Sequence, residues 1–215
     1  MAYSFENSTV AGTVLVNIGT GGASYNGQLV SGATISTSDY RGGLASVQLS
    51  APSSQYVQVP AFATGSSGLT FACWFRSNAN GNWARIFDFG NGRSDNIFVY
   101  MHSNGLGVGA WNGVAFNQYD GTVYPNINDN QWRHFAWTLT PSGTWTVYIN
   151  GNSVWSRTGQ VYPRSVTRSN NYLGKSNWPD PFFSGAIDDW KMYTSALGAD
   201  EVMTLYLSAS KGMSY

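Results

Sequence analysis

The segment Trp145-Thr-Val-Tyr-Ile149, Asn150-Gly151, Asn152-Ser-Val-Trp155 decides the fold class of this 215-residue chain. Apolar and polar side chains alternate on both sides of the Asn-Gly pair, as they do in strands with one buried face. Asn and Gly both tolerate the positive φ angles that a two-residue type I′ turn requires. The sequence therefore predicts a β-hairpin over residues 145–155.

The same combination of alternation and Asn-Gly pairs recurs along the chain. A second hairpin is predicted from Asn96-Ile-Phe-Val-Tyr-Met101 through Asn104-Gly105 to Leu106-Gly-Val-Gly-Ala-Trp111. Further strands are predicted over 44–50, 55–59, 69–77, 84–90, 132–140 and 184–193. Roughly a dozen short strands joined by turns are typical of a sandwich, not of an open α/β sheet. Because no linker or composition shift divides the chain, a single domain over 1–215 is predicted.

The C-terminal part of the chain carries two special features. Ile187, Trp190 and Met192 are all apolar residues expected to face the core. Ile187 has an odd number and the other two have even numbers, so strict alternation along one strand cannot bury all three. We therefore predict a β-bulge at 188–189, because a bulge re-aims the side chains that follow it. After this strand, two carboxylates precede an apolar stripe at helical spacing over 198–206, which predicts one short helix lying across one end of the sandwich.

Charge and composition exclude several kinds of partner. The chain has 11 basic and 11 acidic residues, so its formal net charge is zero. A surface for duplex nucleic acid needs a basic stripe, so no nucleic-acid partner is expected. No run approaches the roughly 20 apolar residues of a membrane span, so no membrane insertion is expected. An aromatic fraction of 15% argues against disorder.

The cellular location is open to two interpretations. Residues 1–6 contain no basic region and no apolar stretch, so no signal peptide is expected in this chain. Its single cysteine, Cys73, excludes an intramolecular disulfide and says nothing of the redox compartment. Either an export signal has been removed, or the protein leaves the cell with a virus particle. The expected location is extracellular or on a virion surface.

Three segments carry a resemblance to a known family. A central strand pair of that family is similar to Leu69-Thr-Phe-Ala-Cys-Trp-Phe-Arg76 together with residues 85–90. Its Trp-x-His strand and Tyr-x-Asn-Gly hairpin are similar to residues 131–137 and 147–151. Its closing strand and helix are similar to residues 183–206. In order and spacing these segments resemble the laminin G-like jelly-roll family of the concanavalin A-like lectin/glucanase superfamily. The resemblance implies an all-β, two-sheet antiparallel jelly-roll sandwich with one short C-terminal helix. Gly198 departs from the family, where Ser or Thr usually caps that helix.

The family implies function only weakly, because its members include lectins, adhesion modules, pentraxins and accessory domains of glycosidases. Glucanase chemistry on this scaffold needs two carboxylates about 5–5.5 Å apart, usually glutamates on one strand. This chain has only Glu6 and Glu201, one in the first strand and one in the terminal helix. Asp188 and Asp189 are adjacent and would point to opposite faces in regular β-structure. His134 is interpreted as a packed strand histidine, so no enzyme activity is expected.

A structural calcium ion is implied by the resemblance, because related jelly rolls often carry one at a sheet edge. Calcium takes several oxygen ligands, and the first and last strands of such domains usually pair. Glu6 and Asp188 are therefore the candidate metal ligands. The alternative is that both carboxylates accept hydrogen bonds from turn amides, as buried carboxylates commonly do. Zinc sites of the His2Cys type are excluded by the lack of ligands.

Sugar recognition needs flat aromatic faces together with amides or carboxylates that bind hydroxyls. Tryptophans in regular alternation are predicted to lie in the core: Trp74, Trp132, Trp137 and Trp145. Side chains in turn-rich segments are the candidate ligand-binding residues: Trp111, Trp178, Tyr119, Asp120 and Trp83. Prolines at 179 and 181 stiffen the loop around Trp178. For each candidate, the alternative is a loop anchor packed onto the sandwich.

These features favour a non-catalytic, lectin-like module that binds a glycan or polysaccharide on a cell surface or cell wall. A specific version is a virion or tail-associated component that contacts host glycans. The alternative is a structural or assembly role, in which exposed aromatic residues bind protein partners such as a second copy of the chain or virion and tail proteins. Glycoside hydrolysis is the third hypothesis, and it requires a carboxyl pair at hydrolytic spacing.

Overall fold

A computed structural model of the chain describes residues 1–77, 80–119 and 125–210. Its strands are β1 (Ala2–Tyr3), β2 (Val10–Ala11), β3 (Val14–Leu15), β4 (Gly27–Val30), β5 (Thr34–Ser36), β6 (Ser46–Leu49), β7 (Tyr56–Val59), β8 (Phe62–Ala63), β9 (Leu69–Ser77), β10 (Arg85–Asn91), β11 (Ser94–His102), β12 (Gly105–Trp111), β13 (Phe116–Tyr119), β14 (Arg133–Leu139), β15 (Trp145–Ile149), β16 (Asn152–Arg157), β17 (Thr167–Arg168), β18 (Asn170–Leu173) and β19 (Gly185–Tyr193). The α-helix α1 covers Ala199–Ser210, and short 3-10 helices cover Asn7–Thr9 and Gly22–Tyr25.

Two large antiparallel sheets form the jelly-roll sandwich predicted from the sequence. The eight-stranded sheet has the order β16-β15-β14-β9-β19-β6-β5, with β1 paired to β19. The nine-stranded sheet has the order β13-β12-β11-β10-β18-β7-β4-β3-β2. A small third sheet pairs β17 with β8. As expected for this fold, the first and last strands meet, with Tyr3 opposite Trp190.

The main core lies between the two large sheets and follows the alternation of the sequence. In β9, Phe71, Cys73 and Phe75 are almost completely buried, and in β11 Ile97 and Val99 have no exposed surface. Three of the four tryptophans predicted to lie in the core are buried there or against the helix: Trp74, Trp137 and Trp145. The fourth, Trp132, is half-buried beside the start of β14, and its indole N–H donates to Asp39 Oδ1 over 3.1 Å.

The predicted β-bulge in β19 is confirmed. The register between β19 and β9 shifts between Asp188 and Lys191, and Asp189 adopts a φ of 48°. Because of this extra residue, Ile187 and Trp190 both reach the core and are completely buried. The bulge thus resolves the conflict of parity that the sequence contained.

Both predicted hairpins are present, with one difference in a turn. Asn150 and Gly151 have φ angles of 51° and 79°, as a type I′ turn requires, and β15 and β16 flank them. In the other hairpin the positive φ angles, 46° and 64°, belong to Ser103 and Asn104. The turn therefore lies one residue earlier than its Asn-Gly pair indicated, and Gly105 is already part of β12.

Helix α1 packs on the outer face of the eight-stranded sheet, not across one end of the sandwich as expected. Val202 is completely buried against Ala72, Ala136 and Tyr148, which alternate with core residues on β9, β14 and β15. In the absence of a Ser or Thr cap, Glu201 accepts the backbone N–H of Gly198 over 2.8 Å. Among the described residues, no helix has the length and apolar content needed to cross a bilayer.

Candidate ligand-binding groove

The outer face of the nine-stranded sheet carries a floor of aromatic rings. Because Ile97 and Val99 face the core, Phe98 and Tyr100 of β11 face outward. Both residues nevertheless have at most 2% exposed surface, because Arg85 and Trp178 cover Phe98 and Trp83 covers Tyr100. On its inner side, each ring lies over a glycine of β12. Phe98 is paired with Gly109 and Tyr100 with Gly107. A Cβ atom on Gly109 would lie 2.6 Å from Phe98, and one on Gly107 would lie 2.3 Å from Tyr100. Only glycine at these two positions allows the rings to lie flat against the sheet.

Arg85 of β10 lies beside this floor, and its side chain is only 3% exposed. Its guanidinium carbon lies 4.6 Å from the ring centroid of Phe98 and 5.6 Å from that of Trp178, which are cation–π distances. Nη1 donates to the carbonyl of Trp83 over 3.0 Å, and Nη2 lies 3.1 Å from Asp180 Oδ2. Nε lies 3.6 Å from Oδ2 of the fully buried Asp88. Arg85 thus links the floor, two loops and a buried acid.

Asp88 is held by more than this ion pair. Its carboxylate accepts hydrogen bonds from the side chain of Asn96 over 2.8 Å and from the backbone and side-chain N–H groups of Asn177 over 3.0 Å each. Burial raises the pKa of Asp88, while the Arg85 guanidinium and these N–H donors oppose that rise. Its role is to fix Arg85 and the loop that begins at Asn177.

That loop presents Trp178 to the solvent side of the floor. The hydroxyl of Ser176 accepts the backbone N–H of Trp178 over 3.0 Å and donates to Asp180 Oδ2 over 2.8 Å. The indole of Trp178 stands edge-on to Phe98, with ring centroids 5.8 Å apart. These hydrogen bonds and the two prolines that follow, at 179 and 181, hold the half-buried indole in one place.

Two further tryptophans border the same space. Trp83 adopts a φ of 72°, which L-residues rarely adopt, and stacks on Tyr100 with centroids 4.8 Å apart. Trp111 ends β12 opposite Phe116, whose ring is 48% exposed. The unusual φ places the ring of Trp83, and strand pairing places the ring of Trp111. The two rings therefore flank the aromatic floor on opposite sides.

Together these residues enclose a cavity of about 460 Å³, here called the aromatic groove. Its described lining consists of Trp83, Arg85, Phe98, Trp111, Phe116, Gln118, Trp178 and Asp180. The structure thus brings together three of the five candidate ligand-binding residues, Trp83, Trp111 and Trp178. Tyr119 ends β13 next to Gln118, but its side chain and the whole of Asp120 lie outside the described residues.

The two candidate metal ligands meet at one loop, residues 41–44. Asp188 Oδ2 accepts the backbone N–H groups of Arg41 and Gly42 over 2.9 and 2.7 Å, and Glu6 Oε1 accepts that of Leu44 over 2.8 Å. This is the hydrogen bonding to turn amides that the sequence left open as the alternative. Asp188 Oδ1 is buried and accepts no hydrogen bond within the described chain, and burial raises the pKa of this carboxyl to about 7. No cluster of three or more acidic, His or Cys side chains suited to a metal occurs among the described residues.

His134 is confirmed as a packed strand histidine. It is 3% exposed and packs against the rings of both Trp74 and Tyr206, with centroid distances of 5.4 and 5.9 Å. Burial, aided by the charge of Lys191, lowers its pKa to about 3. It stays neutral at ordinary pH and stabilises the contact between β14 and α1.

Comparison with known proteins shows the family and the fold. Residues 51–203 match the family model described as the concanavalin A-like lectin/glucanases superfamily. The chain belongs to this superfamily. It is also 26% identical over 157 residues to the sushi, von Willebrand factor type A, EGF and pentraxin domain-containing protein 1 of Rattus norvegicus, covering 68% of this chain and 4% of that protein.

Solved structures of similar fold include sugar-bound and toxin domains. Domain 4 of AbnA, a GH43 extracellular arabinanase from Geobacillus stearothermophilus, in complex with arabinotriose, has a TM-score of 0.60 at 20% identity, over 96% of this chain and 87% of that one. The binding domain of botulinum neurotoxin DC in complex with SialylT has a TM-score of 0.69 at 14% identity, over 98% of this chain and 51% of that one. This superfamily member thus spans about half of the neurotoxin binding domain, and the likeness shows the shared fold.

Several residues of the groove were not predicted from the sequence of this superfamily member: Arg85, Phe98, Phe116, Gln118 and Asp180. One signal was present but not used. In the second hairpin, glycines at 105, 107 and 109 alternate with apolar residues. Alternate glycines on one strand, opposite outward-facing rings on its partner, indicate a surface on which those rings lie flat.

Proposed function

We propose that the chain, as one domain over 1–215, is a non-catalytic carbohydrate-binding module that holds a sugar in the aromatic groove. The observation that carries this proposal is the convergence of three half-buried indoles, those of Trp83, Trp111 and Trp178, on one cavity. Indole faces pack against the C–H faces of sugar rings, while Asp180 and Gln118 supply polar groups for hydroxyls. A mostly apolar cleft with a few polar groups is the usual form of a small-molecule site.

The similar folds support the class of ligand and not its identity. Domain 4 of the arabinanase holds arabinotriose, and one neurotoxin binding domain holds SialylT. Neither is more than 20% identical to this chain. Binding of a glycan or polysaccharide is therefore proposed from the groove itself, with these structures as support. An extracellular or virion-surface location is a separate part of the proposal.

A glycan array followed by isothermal titration calorimetry tests the proposal. The wild-type protein should bind at least one glycan, and Trp178→Ala should raise its Kd by about tenfold or more, since central aromatic residues carry much of the binding energy. Trp132→Ala is the matched control, because Trp132 is also half-buried but directly precedes β14 of the other sheet. Failure of the wild type to bind any glycan, or equal losses in both variants, would contradict the proposal.

Binding is favoured over hydrolysis by the placement of the acids. Within the described lining, Asp180 is the one carboxylate that reaches the groove. The nearby Asp88 has no exposed surface and is occupied with Arg85 and Asn177. A glycosidase needs two carboxylates with access to the scissile bond. The proposal predicts no release of reducing ends from any polysaccharide that binds.

An assembly role is the second candidate, and an exposed apolar hairpin tip favours it. Val114 is 92% exposed and Phe116 is 48% exposed at one end of the groove. In this case a protein partner or a second copy would cover these residues together with Trp111. Light scattering distinguishes the two functions: a stable oligomer that Val114→Asp dissociates supports assembly, whereas a monomer that binds glycan supports the module.

A structural calcium ion at Asp188 is a further part of the proposal. The buried and unpartnered Oδ1 of Asp188 is where a cation would fit, and Glu6, which accepts the N–H of Leu44 in the loop 41–44, is the second proposed ligand. Bound calcium would stabilise the folded state in proportion to its occupancy. Melting temperatures measured in calcium and in EDTA test this, with Asp188→Asn as the control that should abolish any difference. Equal melting temperatures in calcium and EDTA would contradict it.

A further inference from the structure

The one basic residue in the described lining of the aromatic groove is already neutralised. Arg85 contacts Asp180 through Nη2 over 3.1 Å, the carbonyl of Trp83 through Nη1 over 3.0 Å and Asp88 through Nε over 3.6 Å. Its side chain is 3% exposed, so a ligand carboxylate could reach it only by displacing Asp180. Removing a buried cation from its acidic partners is costly.

Other cations near the groove are paired or lie outside it. Arg164 lies against Gly113 in the hairpin tip, but it binds both oxygens of Asp95, over 2.5 and 2.8 Å. Lys175 lies over the ring of Tyr172 at 4.3 Å and is not part of the groove lining. Neither is placed to balance a negative charge on a ligand in the groove.

The groove does, in contrast, offer a hydrogen-bond acceptor to a ligand. Asp180 is 22% exposed, and its Oδ2 already pairs with Arg85 and accepts the hydroxyl of Ser176. No described residue donates a hydrogen bond to its other oxygen, Oδ1. A sugar hydroxyl can donate to this oxygen, whereas a ligand carboxylate or sulfate would be repelled by it.

From this distribution of charge we infer that the aromatic groove selects uncharged sugars and that Asp180 sets this selectivity. The inference rests on the proposed function and adds the class of ligand. Two carboxylates, Asp88 and Asp180, share one guanidinium, so the described lining has no positive charge left for an acid. The ligand presents a C–H face to the indoles and at least one hydroxyl to Asp180. Sialylated, uronic and sulfated glycans are disfavoured.

Matched pairs of ligands that differ only in charge test the inference. Fetuin and fetuin whose sialic acid carboxylates are methyl-esterified form one pair, and polygalacturonate and its methyl-esterified form another; a glycan array extends both. Wherever binding occurs, the uncharged member should bind about tenfold more tightly or better, because a like charge beside Asp180 is unfavourable. Equal or tighter binding of the acidic members would overturn the inference and leave the proposed function standing. No binding to any glycan would overturn both.

A variant identifies the residue responsible. Asp180→Asn keeps the shape of the side chain, and it should reduce the preference for the uncharged member at least tenfold, whatever its effect on absolute affinity. Asp129→Asn is the control, because it removes the same charge from an exposed pair with Arg133 outside the groove lining. An unchanged preference in Asp180→Asn would show that Asp180 does not set the selectivity.

A measurement on the wild type covers the case in which Asp180→Asn does not fold. The tightest-binding ligand on the array, whatever its charge, should have a Kd that stays constant between low and high salt, because no ion pair forms on binding. A Kd that rises steeply with salt would show that the groove recognises charge, and would overturn the inference.

Discussion

Substitution of Gly109 by alanine tests the floor of the aromatic groove. The new Cβ would lie 2.6 and 2.7 Å from two ring carbons of Phe98, so the ring must retreat by about 0.8 Å to reach an ordinary contact of 3.4 Å. It can only move outward, toward Trp178 and the guanidinium of Arg85. Overpacking of this kind costs about 1–3 kcal/mol, and the loss of glycine flexibility offsets about 0.4–1 kcal/mol of that.

We therefore expect Gly109→Ala to lower the free energy of unfolding by about 1–2 kcal/mol, which corresponds to roughly 2–8 °C in melting temperature for a chain of this size. Because the displaced ring enters the groove, the Kd for glycan should rise by about tenfold, or 1.4 kcal/mol. Thermal unfolding followed by circular dichroism and titration calorimetry measure the two effects.

Gly65→Ala is the matched control. A Cβ atom on Gly65 would meet no atom within 4 Å, and the backbone there has no positive φ. The carbonyl of Gly65, which accepts the hydroxyl of Tyr162, is unaffected by the change. This variant should match the wild type in both assays. If Gly109→Ala also matches the wild type, the ring of Phe98 does not rest on Gly109 and the account of the floor is wrong.

Three other substitutions test separate parts of the structure. Burial lowers the pKa of His134 from 6.5 to about 3, so the stability that neutral His134 provides is present above pH 6.5 and is lost as the pH falls toward 3, by roughly 1.4 kcal/mol per pH unit. His134→Gln should flatten this decline in urea unfolding curves recorded from pH 7 to 4. An equally steep decline in the variant would refute the assignment. Arg85→Met leaves the carboxylate of Asp88 buried without its cation, so it should lower the free energy of unfolding by about 3–5 kcal/mol. Adding Asp88→Asn in a double variant should restore part of this loss. A loss below about 1 kcal/mol would show that Arg85 and Asp88 do not form a buried ion pair. Gly151→Val places a branched side chain at a φ of 79° with its Cβ 2.7 Å from the sulfur of Met203. It should lower the free energy of unfolding by about 1–3 kcal/mol and the melting temperature by several degrees. An unchanged melting temperature would show that the hairpin turn differs from the one described.

The fold was largely predictable because its signals are local. Alternation and the Asn150-Gly151 pair predicted the hairpin of β15 and β16, and the parity conflict between Ile187 and Trp190 predicted the bulge that the register shift confirms. A strand with one buried face constrains each residue by its neighbours two positions away. The position of α1 was not predictable in this way, because its apolar stripe fits any apolar surface of the sandwich.

The candidate groove was predictable only in part. Turn chemistry singled out Trp83, Trp111 and Trp178 as loop aromatics, and the structure places all three around one cavity. Arg85 and Phe98 were missed because the face to which a strand residue points depends on pairing with strands distant in sequence. The ion pair between Arg85 and Asp180 joins residues 95 positions apart, and no local pattern indicates it.

The indole resonances of the protein test the central claim most directly. The chain has nine tryptophans, each with one indole N–H signal in a ¹⁵N-correlated NMR spectrum. On titration with the best uncharged glycan from the array, the signals of Trp83, Trp111 and Trp178 should shift together with one Kd, while those of the buried Trp137 and Trp145 stay in place. Saturable binding that shifts other indoles and leaves these three unchanged would place the sugar elsewhere and contradict the account.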